Sequence, residues 1–360
     1  MKNGAMHGEG RPAGTDAGAV LPGWLVAALV VLGLIGLFGR LSPLLDVEGR
    51  LFWQYMTEDG YLMQTVARNM AIGLGMSTAE GSIPTNGVQP LATYLFAGLH
   101  VLAGGDKTDG IVLVTLLSVA IAVASAWLLA KVGQQVFAGL PHGRQLAWAA
   151  AALWFTAPLI TRHSLNGLET GLYQAATLMV MHFYLSHFCA GPQPSWGGRL
   201  WLGVLLGIAF LSRNDAVFFI AALLLTHVLI QVPRNGESLG VRLIDAVVAG
   251  AVSVLVASPW LIHNYLGFGS IVPISGTAQS HAAEIGRNLP WLAAHLFENT
   301  WLWLPIPASL EQRLPVQIAC GLAILVAIGL YWQWVARDSV LRRRHFVTGV
   351  LFAGSLSAYY

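Results

Sequence analysis

A run of apolar residues long enough to cross a lipid bilayer opens the chain at Val20–Gly39, and seven further apolar runs follow it. They are Ile111–Lys131, Leu146–Thr161, Gly171–Cys189, Leu200–Leu211, Ala216–Val232, Leu243–Ile262 and Val316–Val335. A spanning helix needs about 20 such residues, because in hydrocarbon every backbone N–H and C=O must be satisfied within the segment. That requirement selects an all-α, polytopic transmembrane bundle. Composition agrees: 56% of the 360 residues are hydrophobic and 10% are charged, against about 25% charged in a soluble domain. With 19 basic and 17 acidic residues the net charge is +2, which argues against a nucleic-acid binder and against a disordered chain. The two cysteines, Cys189 and Cys320, lie far apart in apolar runs, so neither a zinc site nor a disulfide framework is indicated.

Charge sets the orientation. Val88–Gly104 is apolar but short and begins at Gln89-Pro90; it is read as a juxtamembrane helix on the outer interface. The inner loops are then 1–19, 131–145, 190–199, 233–245 and 336–345, with 11 basic residues including the Arg342–Arg344 run, against eight outside. This is the positive-inside bias. Residues 1–19 read as a disordered cytoplasmic tail preceding an uncleaved anchor. Residues 20–335 form the transmembrane module. Residues 336–360 hold an inner loop and the start of another span, since Phe346–Tyr360 is too short to cross. Two large loops, 40–109 and 263–315, fall on the outer side, with short outer turns at Arg162–Thr170 and Ser212–Asp215. Polar residues gathered on one face suit a catalytic or binding surface. No internal repeat is visible.

Four outer segments carry polar residues in suggestive patterns. Thr57-Glu58-Asp59-Gly60 opens an amphipathic helix with Leu62, Val66, Met70 and Leu74 on one face and Gln64, Arg68 and Asn69 elsewhere. Thr57 or Asp59 can cap it. Equally, Glu58 and Asp59 can serve as a general base or as metal ligands. In Asn166-Gly167-Leu168-Glu169-Thr170, Glu169 either caps the next helix or faces Glu58 and Asp59. In Ser212-Arg213-Asn214-Asp215, an Arg213–Asp215 pair fastens the hairpin, or Arg213 binds a phosphate. Ser258-Pro259-Trp260 is read as the end of a span, followed by His263-Asn264-Tyr265. His163, His263 and His281 are weak metal candidates, and most of the 13 tryptophans suit an interfacial belt; sugar stacking by Trp291, Trp301 or Trp303 has no support in the pattern. No Walker loop, dinucleotide fingerprint or His-Glu-x-x-His motif occurs, which argues against nucleotide chemistry.

Glu58-Asp59-Gly60-Tyr61, Ala67-Arg68-Asn69, Gly73-Leu74-Gly75 and Asn86-Gly87-Val88-Gln89-Pro90-Leu91, in that order, resemble the first outer loop of C-type (GT-C) membrane glycosyltransferases. The bacterial branch with terminal arabinofuranosyltransferases looks most similar. Gly167-Leu168-Glu169-Thr170, Ser212-Arg213-Asn214-Asp215 and the stretch from Pro259 to Gln279 extend the likeness. Departures are Glu58 for the first Asp of the acidic pair and Gln89 for an Asn. Asn264, Ser270, Ile274 and Gln279 also differ from the family pattern.

The resemblance implies a GT-C bundle whose large first outer loop carries juxtamembrane helices. It implies an inverting transfer of a sugar from a polyprenyl-phosphate carrier to a hydroxyl of a glycan, lipid or protein, at the outer face of the inner (plasma) membrane. Glu58 or Asp59 would be the base, with Glu58 at the family's catalytic position. Arg68, Gln89, Glu169, Arg213, Asp215 and His263 would bind substrate. Any divalent metal (Mg or Mn) would be held by Glu58, Asp59 and Glu169. Membrane lipids are expected partners and nucleic acid is not. A transporter or flippase of lipid-linked sugars would instead predict buried mid-span charges and repeated halves. A non-catalytic scaffold is the third reading.

Overall fold

The computed structural model describes residues 21–138, 140–189, 193–229, 238–276 and 313–335. The tail 1–19, the segment 336–360, and His281, Trp291, Trp301 and Trp303 lie outside the described residues. The described residues are helical and connecting turns apart from one two-stranded antiparallel hairpin, β1 (Ser77–Thr78) and β2 (Ile83–Pro84). Helix α1 (Gly23–Leu41) leads through a 3₁₀ turn (Ser42–Leu45) and a π-helical segment (Val47–Tyr55) into α2 (Glu58–Ala71). After the hairpin come α3 (Pro90–Leu102), α4 (Lys107–Val136), α5 (Gly143–Thr156), α6 (Pro158–Ser164) and α7 (Thr170–Tyr184). Then follow α8 (Trp196–Ser212), α9 (Ala216–Leu229), α10 (Leu239–Phe268) and α11 (Leu314–Val335).

Among the described residues, three helices have the length and composition to cross a membrane unaided: Gly23–Leu45, Lys107–Val136 and Leu239–Phe268. Their outward faces are apolar; Trp24, Leu34 and Phe38 of α1 and Val247, Val254 and Leu255 of α10 are exposed, as surfaces solvated by lipid tails should be. α8 and α9 are shorter apolar helices.

Three boundaries differ from the sequence reading, each for a local reason. The span expected at Leu146–Thr161 breaks into α5 and α6, because Pro158 has no N–H to continue the ladder and holds Ala157 extended (φ −62°, ψ 129°). Conversely, α10 does not end at Ser258-Pro259-Trp260 but runs through Pro259 to Phe268. The carbonyl that Pro259 leaves without its helical N–H is that of Leu255, and the Ser258 hydroxyl donates to it at 2.8 Å. His263 and Asn264 are therefore helical, and the chain turns only at Gly269 (φ +72°). Asp245, expected in an inner loop, is buried in α10. It pairs with Arg199 of α8 at 2.5 Å and with His227 of α9 at 3.3 Å, and the His227 ring meets the Tyr184 hydroxyl of α7 at 3.1 Å. This network ties four helices together at the end of the bundle away from Gly269. A buried charge at that depth persists because it is paired.

α8 and α10 pack through glycines. A Cβ at Gly203 would lie 2.5 Å from the Val252 Cβ, and one at Gly207 2.5 Å from the Val256 Cβ. Lipid tails supply no hydrophobic drive between helices, so close backbone approach supplies it by dispersion. Arg40, fully buried at the end of α1, ties it to α5. Its Nη1 donates to the Gly36 and Phe155 carbonyls, and its guanidinium lies 4.2 Å over the Phe155 ring.

Loop 40–109 folds as the resemblance implies, with α2 and α3 beside the bundle, but α2 buries only part of the expected face: Val66 is buried and Met70 packs partly against the core, and the adjoining face joins them. Gly60, Met63, Gln64, Val66, Ala67 and Asn69 are buried, whereas Leu62 and Leu74 are exposed. The amides of Gln64 and Asn69 are satisfied inside. Gln64 Nε2 donates to the Gly167 carbonyl at 2.9 Å, and Asn69 Nδ2 to the Ser77 carbonyl at 2.9 Å. Gln64 Oε1 then accepts from His100 Nε2 at 3.2 Å. Burial lowers the pKa of His100, and because Gln64 Oε1 can only accept, this contact places a proton on Nε2.

Gly207→Val should push α8 from α10 and destabilise the bundle by about 1–3 kcal/mol, the usual cost of overpacking. Gly267→Ala, where nothing lies within 4 Å of the added methyl, should leave thermal unfolding in detergent unchanged or slightly raised.

Candidate active site

A cavity of about 760 Å³ opens at one end of the bundle, where α2, α3, α7, α8, α9 and the chain after α10 meet. Its polar lining is Asp59, Gln89, Glu169, Arg213, Asn214 and Asp215. Its apolar lining includes Phe210, Val217, Phe218, Leu261 and Val272.

Each polar group arrives for a local reason. Asp59 sits in the first turn of α2, which Thr57 caps by accepting from the Gly60 N–H at 3.1 Å. The same Thr57 hydroxyl donates to the Asn166 carbonyl at 3.2 Å, which docks the helix start on the turn before α7. Gly60 permits this, since a Cβ there would collide with the Asn166 carbonyl oxygen. Gly167 (φ +80°) turns the chain, and Asn166 Oδ1 accepts from the Leu168 N–H at 3.0 Å. Glu169 thus begins α7, yet its side chain does not cap that helix. Its Oε1 accepts from Arg213 Nη1 at 3.2 Å, while Arg213 Nε donates to Asp215 Oδ2 at 3.0 Å. The backbone N–H of Asn214 donates to Gln89 Oε1 at 3.0 Å, fastening the turn between α8 and α9 to the start of α3.

Glu169 is buried and its pKa is raised. Burial is the main cause; its own backbone N–H and Arg213 oppose it, and Asp215 and Asp59 add to it. Arg213 therefore stands among three carboxylates, held by Glu169 and Asp215 in a fixed, partly shielded position. Such a cation suits an anionic oxygen in a site with low access to water.

The structure brings together five of the residues singled out from sequence: Asp59, Gln89, Glu169, Arg213 and Asp215. Three stand apart. Glu58 is exposed and does not line the cavity. Arg68 Nε is held by the Gly105 carbonyl at 2.7 Å, so it ties down the first loop. His263 faces outward, stacked on Trp260 with ring centroids 5.4 Å apart. Among the described residues no three His, Cys, Asp or Glu side chains converge as a cation site, and Arg213 already engages Glu169. Sequence reasoning missed Asn86, Asn264 and the segment 271–276 that walls the cavity. Asn86 lay in plain view within a quoted motif, but nothing in the pattern gave it a partner.

The family model for dolichyl-phosphate-mannose-protein mannosyltransferase matches residues 87–263, the stretch that holds Gln89, Glu169, Arg213 and Asp215. The fold is similar to the archaeal oligosaccharyltransferase AglB from Archaeoglobus fulgidus, a GT-C enzyme, solved with an inhibitory peptide and a dolichol-phosphate. The TM-score is 0.50 at 17% identity, over 91% of this chain and 39% of that one. The chain shares the GT-C fold of that enzyme. A second structure of the Archaeoglobus fulgidus oligosaccharyltransferase, tethered to an acceptor peptide containing the NVT sequon, gives a TM-score of 0.50 at 17% identity, over 86% of this chain and 38% of that one. This chain thus spans well under half the length of the solved enzyme. None of the curated proteins compared matches it. The arabinofuranosyltransferase branch finds no counterpart in these matches; the family model that matches is the mannosyltransferase one.

A native carboxyl with a raised pKa binds its proton more readily than in the unfolded chain, so stability falls as pH rises through the interval between the two values. For Glu169 that interval starts at the ordinary value of 4.5 and extends upward. Thermal unfolding in detergent across it should show this downward slope, and Glu169→Gln should flatten it.

Proposed function

We propose that this chain transfers a sugar from a polyprenyl-phosphate carrier to an acceptor hydroxyl, with inversion, at the outer face of the plasma membrane. The observation that carries the reading is the joint presence of Asp59, the Glu169-buttressed Arg213 and a wall of Phe210, Val217, Phe218 and Leu261 in one cavity. An amphiphile with a phosphate head and an apolar tail matches that lining. The family match at residues 87–263 and the dolichol-phosphate named with AglB support a lipid-linked donor. The peptide in both AglB structures makes a polypeptide one acceptor class to test beside glycans and lipids. The outward face rests on the excess of inner basic residues, 11 against eight.

In this mechanism the acceptor oxygen attacks the anomeric carbon from the side opposite the phosphate. A C–O bond forms, the C–O bond to phosphate breaks, and its electron pair leaves on the phosphate oxygen. Asp59 takes the acceptor proton. Arg213 stabilises the departing phosphate, and Glu169 and Asp215 hold the guanidinium in place. Asp59 is preferred to Glu58 as base because Asp59 lines the cavity and Glu58 does not.

Membranes from cells expressing Asp59→Asn should transfer sugar from a polyprenyl-phosphate donor at least about 10²-fold more slowly, the usual share of a general base. Glu58→Gln should stay within a few-fold of the parent. Equal losses in the two variants would remove Asp59 from its role. A cell-envelope glycan profile that gene deletion leaves unchanged would remove transfer altogether.

A further inference from the structure

We propose that Asn86 and Gln89 form a positioning bracket that sets the width of the cavity by holding two of its walls to one short segment. Asn86 and Asn264 are both fully buried, 178 residues apart in the chain, and meet amide to amide. Asn86 Nδ2 donates to Asn264 Oδ1 at 3.1 Å, and Asn86 Oδ1 accepts from the Ile274 N–H at 3.0 Å. Asn264 Nδ2 donates in turn to the Ile271 carbonyl at 3.3 Å. The chain leaves α10 at Gly269, and residues Ile271, Val272, Pro273, Ser275 and Gly276 then wall the cavity. Among the described residues, the hydrogen bonds that tie this strap to the rest of the molecule run through these two amides. Three residues further on, Gln89 Oε1 accepts from the Asn214 N–H and holds the turn that carries Arg213. The segment 86–89 thus reaches the apolar strap with one side chain and the phosphate-facing turn with another. A buried amide that loses its partner carries a desolvation cost, so both walls are held firmly. The cavity's role in sugar transfer is the reading proposed above; the bracket concerns its geometry and can be tested without any sugar.

The test is thiol labelling of the full chain in membrane vesicles with a membrane-impermeant maleimide. The background carries Cys189→Ala and Cys320→Ala, the only two native cysteines being those. Ser275→Cys reports the strap. Asn214→Cys reports the Arg213 turn and keeps the backbone N–H that Gln89 holds. Ser82→Cys, on the exposed hairpin, is the control. Asn86→Ala and Asn264→Ala should each speed labelling at position 275 about tenfold, the ratio expected for one lost buried hydrogen bond. The double variant should exceed either single, because each single leaves the other amide's own bond to the strap in place. Labelling at positions 214 and 82 should hold. Gln89→Ala should do the reverse, speeding position 214 and sparing 275. Unchanged labelling at 275 in both asparagine variants would overturn the bracket, as would an equal rise at all three positions, which marks general loosening. Added undecaprenyl phosphate should slow labelling at 275 in the parent. If it does not while the bracket variants behave as expected, the bracket stands and the lipid-phosphate reading of the cavity falls.

Discussion

Everything in this molecule follows from the demand that backbone polar groups inside a bilayer be satisfied within the protein. The demand makes the spanning segments helices and leaves their lipid faces apolar. It also drives polar chemistry to the two ends of the bundle. Polar groups that do go inside are paired, as Asp245 is with Arg199 and His227. Where Pro259 interrupts the ladder, a neighbouring serine hydroxyl repairs it. The two ends then differ in kind. At one end the charged network joins α7, α8, α9 and α10. At the other end the charges surround 760 Å³ of open space.

That open end is assembled from segments far apart in the chain. α2 enters through Asp59, the turn before α7 through Glu169, and the turn between α8 and α9 through Arg213. They are fixed to one another by hydrogen bonds to backbone. Thr57 bonds the Asn166 carbonyl, Gln64 the Gly167 carbonyl, and Gln89 the Asn214 N–H. Backbone groups in turns do not rotate as side chains do, so these bonds hold carboxylates and guanidinium at set separations. Preorganisation of this sort is what electrostatic catalysis requires, since dipoles and charges are aligned before the reaction begins.

A lone arginine among three carboxylates is an economical way to present a cation. Glu169 is buried deeply enough that its proton is held more tightly than usual, yet Arg213 lies against it. The ion pair anchors the guanidinium from below while Asp215 engages its edge. The apolar residues beyond, Phe210, Phe218 and Leu261, continue the lining toward the membrane helices. A ligand that is charged at one end and greasy along its length finds both environments without crossing water.

Much of this was legible in the sequence. The apolar runs determined a helical membrane bundle, because no other open structure satisfies a backbone in lipid. The short Gln89-Pro90 run read as a helix beside the bundle, and α3 is there. Glu169 and Arg213 stood out because charges in short turns between spans are costly without a purpose, and Asp59 because it stands beside Glu58 at the start of an amphipathic helix. Other features were settled only by tertiary structure. Which of two adjacent acids meets the cavity depends on the rotation of α2. That rotation follows from Gly60 docking on the Asn166 carbonyl and Gln64 reaching Gly167, contacts more than 100 residues away in the chain. The same docking buried the Gln64 and Asn69 amides beside Val66 and left Leu62 of the expected face exposed. Arg68 and His263 had the right chemistry, but Gly105 and Trp260 took them. Asn86 and Asn264 carried no local signal, because an amide's worth lies in its partner. Local chemistry determined the inventory of groups; long-range packing decided which of them face one another.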